Sequence, residues 1–221
     1  MADEERLQVE TNKGPVTGLW VFPPAARAVV VVAHGAGNDL NAPLLTGFTD
    51  CLNEAGLGTL RFNFPYKEQG RKAPDPAATL LDAWRAAFRV ARERAATKPV
   101  FVSGKSMGGR IASMAVADGM QADGVVFIGY PLHAPGRPDK QRDEHLFKVH
   151  APMLFLEGTE DPFARFDLIE DLIRRLGRWA TLYAVQGGDH SFRVKGERRP
   201  DEETGRLLAS VAARWIQGAR V

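Results

Sequence analysis

The sequence predicts an α/β fold with a mainly parallel central sheet of about eight strands, flanked by helices, and a minimal lid or none. Three observations carry this. Strand and helix signals alternate almost to the end of the chain, as in sheets covered on both faces. Residues 28–33, Ala-Val-Val-Val-Val-Ala, form an unbroken β-branched run, the mark of a strand buried on both sides. No internal repeat, low-complexity tract or Pro/Gly/Ser linker divides the 221 residues, so the chain reads as one domain spanning 1–221.

Residues 6–10 and 16–22 are expected as strands around an Asn-Lys-Gly-Pro turn, followed by the strand at 28–33. A helix should start near Asn41, with Pro43 in its first turn, and close at Gly56. Residues 58–64 read as a strand, 65–76 as a loop and 75–96 as a long helix limited by Pro99. Residues 100–103 form a short strand and 107–118 a helix, with another strand at 124–128. The polar stretch 131–150 has no period and reads as an irregular connection. A strand at 152–156, a helix at 163–176, a strand at 181–185 and an amphipathic helix at 201–217 complete the order.

Hydrophobic residues make up 44% and charged residues 25%, enough for an ordinary core and against disorder. The net charge of +2 is small, and the arginines are interleaved with acids along helices, so solvated faces are expected rather than a nucleic-acid surface. The opening Met1-Ala-Asp-Glu-Glu-Arg6 is acidic and polar, unlike a secretory leader. The most apolar stretch, residues 21–33, is too short and broken to span a bilayer. The single cysteine, Cys51, lies in a predicted helix and reads as a buried small apolar residue; with no disulfide possible within the chain, a cytoplasmic setting is expected.

The chemistry is carried by Gly104-Lys105-Ser106-Met107-Gly108, a G-x-S-x-G placed between an apolar strand and the start of a helix. Glycines on either side let strand and helix pack closely enough to lift the serine hydroxyl above the sheet. A serine needs a base, and the fold's order is serine, acid, histidine. Of the five histidines (34, 133, 145, 150, 190), only His190 leaves room for a strand and an acid after Ser106. Asp161, in a turn ahead of the 163–176 helix, is the chosen acid, with Glu157, Glu160 and Asp189 as rivals. The oxyanion donors should be the N–H of Met107 and that of Ala36 in His34-Gly-Ala-Gly37, with Gly37 as the rival. Lys105 reads as facing outward, or as favouring an anionic substrate. Arg71, Lys72, Arg137 and Arg142 read as solvated loop residues that could rim the site only if their loops fold over it. No metal-ligand spacing and no Walker or dinucleotide-binding glycine pattern is present, so neither metal nor cofactor is expected.

His34-Gly-Ala-Gly37, Phe62-Asn-Phe-Pro-Tyr66, Gly104–Gly109, Gly129-Tyr-Pro-Leu-His133 and Gly188-Asp-His190 together resemble the α/β-hydrolase superfamily over nearly the whole chain. Within it the sequence is similar to dienelactone-hydrolase-like proteins, and more narrowly to a small group of hydrolase-like proteins sharing the Tyr-Pro-Leu-His segment. Dienelactone hydrolases use a cysteine nucleophile; this chain has serine, so their substrate chemistry does not carry over. The resemblance implies a serine hydrolase acting on a small-molecule ester or thioester through an acyl-enzyme. The alternatives are an acyltransferase with the same triad or a non-catalytic interaction protein on the same scaffold.

Overall fold

The computed structural model describes residues 3–218; residues 1, 2 and 219–221 lie outside the described residues. Eight strands form one sheet in the order β1-β2-β4-β3-β5-β6-β7-β8. The hairpin of β1 (Glu4–Thr11) and β2 (Gly14–Val21) is antiparallel and joins β4 (Gly58–Phe62) antiparallel. From β4 onward, β3 (Val29–Ala33), β5 (Val100–Lys105), β6 (Val125–Ile128), β7 (Met153–Gly158) and β8 (Ala180–Val185) are parallel.

The β-branched run behaves as its composition requires. All five residues of β3 are buried, alternating between the two sides of the sheet. Val29, Val31 and Ala33 face the cluster formed with α3 (Ala77–Ala95), α4 (Met107–Ala117) and α5 (Phe166–Leu176). Val30 and Val32 face the cluster under α1 (Pro43–Glu54) and α6 (Asp201–Gly218). Each fully buried valine or leucine contributes about 1.5–3 kcal/mol by leaving water, so these two layers dominate the favourable side of folding.

Three expectations need correction. The loop at 65–76 begins with a one-turn helix, α2 (Pro65–Glu68); Pro65 supplies its pre-set φ at the first position, and so short an element shows no period. The irregular stretch 131–150 contains a short 3₁₀ turn, Glu144–Lys148. Cys51 is half-buried rather than buried. Among the described residues, no helix is long and apolar enough to cross a membrane.

The parallel register aligns the carboxyl ends of the strands. Ala33 lies level with Phe62 and Gly104, and Lys105 with Ile128. The loops leaving β3, β5, β6, β7 and β8 therefore open on one edge, where ligands bind open α/β sheets.

Candidate active site

Ser106 occupies the turn between β5 and α4 with φ +50° and ψ −114°, a conformation that costs a non-glycine residue energy. Packing enforces it. A Cβ on Gly104 would sit 2.4 Å from Gly109 N, and one on Gly108 would sit 2.6 Å from Ala33 O, so neither position admits a side chain. The Ser106 N–H donates to Ile128 O at 3.0 Å, which fixes the turn to β6.

His190, in the loop after β8, and Asp161, in the loop after β7, meet this serine. The distance from His190 Nε2 to Ser106 Oγ is 2.8 Å, and that from His190 Nδ1 to Asp161 Oδ2 is 2.6 Å. An ionised carboxylate only accepts, so Nδ1 carries the proton and Nε2 is left to accept the serine hydroxyl. The Asp161 side chain is fully buried, and its other oxygen accepts the Phe163 N–H at 2.7 Å. The Phe163 ring lies against the imidazole, centroids 4.4 Å apart. The histidine keeps 19% side-chain exposure, so the open side of the site reaches solvent.

The rival acids have other duties. Asp189 Oδ1 accepts the Ser191 and Arg193 N–H groups and so shapes its own loop. Glu160 is exposed. Glu157 is fully buried: one oxygen accepts the Tyr130 N–H, the other has no partner, and burial pushes its carboxyl well above the usual range.

The loop after β3 brings Ala36 and Gly37 to the same edge, both exposed. Among the described residues, neither the Ala36 nor the Met107 N–H donates a hydrogen bond, so both are free for an incoming oxygen. His34 holds this loop. Its Nδ1 donates to Gly35 O at 2.8 Å and its Nε2 accepts the Phe64 N–H at 3.1 Å. Burial keeps it neutral, lowering its pKa to about 4. His133 does the same for the acid's loop: Nδ1 donates to Ala134 O, Nε2 accepts the Arg165 N–H, and its own N–H donates to Phe163 O. The Tyr-Pro-Leu-His segment is thus a brace for Asp161.

The basic residues divide. Arg71 is exposed and pairs with Asp75, Arg137 is exposed and pairs with Asp139, and Lys72 and Arg142 are exposed. Lys105 corrects its expectation. It points inward and is only 9% exposed, because its side chain passes beneath Gly35 rather than out of the turn. The segment between β6 and β7 docks on α4, with His145 Nε2 2.8 Å from Ser113 Oγ, and is closed on itself by the Tyr130 hydroxyl donating to Arg142 O at 2.5 Å.

A family model described as "Alpha/beta hydrolase domain" matches residues 26–218. The chain belongs to that family. This alpha/beta hydrolase chain superposes on a dienelactone hydrolase from Anabaena variabilis with a TM-score of 0.79, at 23% identity, covering 100% of this chain and 99% of that one. A serine hydrolase without lid from Xanthomonas campestris gives a TM-score of 0.75 at 20% identity, covering 96% and 95%. These likenesses are of fold. A protein of Mycobacterium tuberculosis strain H37Rv, whose name proposes a phosphoribosyl transferase, is 28% identical over 221 residues, 96% of this chain and 46% of its own length. The alpha/beta hydrolase chain thus spans about half the length of the curated relatives it matches.

Proposed function

We propose that this protein is a serine hydrolase that cleaves small esters or thioesters through an acyl-enzyme. One observation carries the reading: Asp161, His190 and Ser106 form an unbroken relay, with contacts of 2.6 and 2.8 Å, beside two free backbone N–H groups. Ser106 Oγ attacks the carbonyl carbon as its proton passes to His190 Nε2, and Asp161 holds the tautomer and stabilises the imidazolium. The Met107 and Ala36 N–H groups receive the developing oxyanion. His190 returns the proton to the leaving alcohol or thiol. A water, deprotonated by the same nitrogen, attacks the acyl carbon, and His190 returns that proton to Ser106 Oγ as the acid leaves.

Specificity for short acyl chains follows from the surroundings. The segment between β6 and β7 is spent on docking to α4, which supports an open, shallow site. Methylenes that find no apolar wall gain little of the roughly 0.8 kcal/mol each that burial supplies.

The test is labelling by a fluorophosphonate, which reacts only with an activated serine. Labelling of the wild type, lost in Ser106→Ala, is expected; an unlabelled wild type would overturn the reading. For p-nitrophenyl esters, kcat/KM should fall from acetate to palmitate, and a steady climb would overturn the shallow site. Turnover with added alcohols or amines, read by product analysis, separates hydrolysis from acyl transfer.

A further inference from the structure

Lys105 is the group this scheme leaves unused. It ends β5 immediately before Ser106, yet it is 9% exposed and, among the described residues, its Nζ has no hydrogen-bond partner. Its Cγ is 3.4 Å from where a Cβ on Gly35 would lie. Its Nζ is 3.0 Å from where a Cβ on Gly129 would lie, and His190 O and Cε1 are 3.4 and 3.6 Å from that same point. The ammonium stands 5.7 Å from the ring centre of Phe192, a residue held at φ +64°. The lysine therefore threads beneath the loop after β3 and ends beside His190.

The charged groups facing it come from every neighbouring element. The loop after β7 brings Asp161, β7 itself Glu157, and the loop after β8 Asp189 and His190. The first residue of α6, Asp201, lines a small cavity with Lys105 but is held by Arg193. His34, before Gly35, is neutral. Burial pushes the Glu157 carboxyl well above the usual range, and the buried carboxylate bonded to His190 is Asp161, at 2.6 Å from Nδ1. Burial lowers the Lys105 pKa to about 8, against the pull of Asp161, so the ammonium survives at neutral pH.

A buried carboxylate on its own drives its histidine toward imidazolium, and an imidazolium cannot accept a serine proton. We propose that Lys105 is a positioning residue for the triad: its buried ammonium is the counter-charge of the Asp161–His190 pair and keeps the imidazole uncharged, ready to accept the Ser106 proton, toward lower pH. The proposal rests on the acyl-transfer reading of the site.

Lys105→Met tests it, because methionine keeps the apolar stem and removes the charge. The His190 Cε1–H resonance, assigned by its absence in His190→Gln, is followed against pH in both proteins. Its midpoint should rise by about one unit in the variant. The acid limb of kcat/KM should move with it. Lys105→Gln serves if the methionine variant does not fold. An unmoved midpoint in either folded variant overturns the proposal, whatever happens to the rate. The resonance needs no turnover, so a wild type that is never labelled would overturn the acyl-transfer reading while leaving this coupling readable. Glu157→Gln should leave the midpoint in place; a fall there would make Glu157 an anion that shares the lysine's charge and would overturn the pairing with Asp161–His190.

Discussion

Helix α4 carries two serine–histidine pairs with the same separation and opposite meaning. Ser106, just before its first residue, and Ser113, inside it, each have a histidine nitrogen 2.8 Å from the hydroxyl oxygen. Around Ser106 the polarity runs toward the carboxylate: the Nδ1–H donates to Asp161, which leaves Nε2 as an acceptor. Around Ser113 it runs the other way. That hydroxyl donates to Arg110 O at 2.9 Å, as helical serines do, so His145 Nε2 must carry a proton and donate to it. Among the described residues no carboxylate is hydrogen-bonded to His145, and Ser113 is wholly buried. Contact distance alone therefore does not make a nucleophile; the third group, the direction of the proton and access to substrate do.

Removing the serines separates the pairs most sharply. Ser106→Ala should lower ester turnover by at least about a thousand-fold, whereas Ser113→Ala should leave kcat/KM within about two-fold of wild type. His190→Ala should match Ser106→Ala, and the double variant should be little worse than either. A Ser113→Ala protein as inactive as Ser106→Ala would break the distinction.

Next in size is the third group. Asp161→Asn should cost about a thousand- to ten-thousand-fold in kcat, because an amide can favour the wrong imidazole tautomer. Asp189→Asn should cost far less, its carboxylate being engaged with its own backbone. If Asp189→Asn proves the more damaging, the acid is misassigned.

The buried pair should show itself in stability. Burial lowers the pKa of both His34 and His145 to about 4. The unfolded imidazole titrates near about 6.5, so between these values the unfolded chain binds protons that the folded chain refuses. Stability is complete above about pH 6.5 and is lost as pH falls toward 4, by up to about 3 kcal/mol for His34 and less for the more exposed His145. Urea unfolding from pH 7 to 4 measures this, and His145→Asn should flatten part of the slope. A stability that rises on acidification would contradict the neutral state of both rings. Smallest is the loss of the Ser113–His145 bond itself, about 1 kcal/mol in Ser113→Ala at pH 7 by the same titration.

What the sequence made legible was local. The Val-rich strand, the glycine-flanked serine between strand and helix, and the chain order that selected His190 over His145 all depend on neighbours in sequence. Asp161 emerged from its turn ahead of a helix; that Glu157 turns instead to the Tyr130 N–H, while His190 Nδ1 meets Asp161, is set by tertiary contacts that the sequence does not show. The one-turn helix at Pro65 is shorter than any hydrophobic period. The inward path of Lys105 depends on Gly35, Gly129 and Phe192, which come from three distant segments, so nothing beside it in the chain announces it. The bracing of His34 and His133 is likewise a matter of tertiary hydrogen bonds.

The proposed base hangs from the rim of the sheet. β8 pairs only with β7, its burial is partial along its length, and His190 follows its last residue by five positions, whereas Ser106 rises from a strand paired on both sides. Edge elements open at lower free energy than central ones. Amide exchange should therefore be faster along β8 than along β5. In mild denaturant this protein should fall silent while Trp84, buried against Phe62 of β4, still reports a native interior, because peeling one outer ribbon carries away the proposed proton acceptor and leaves the rest of the fold standing.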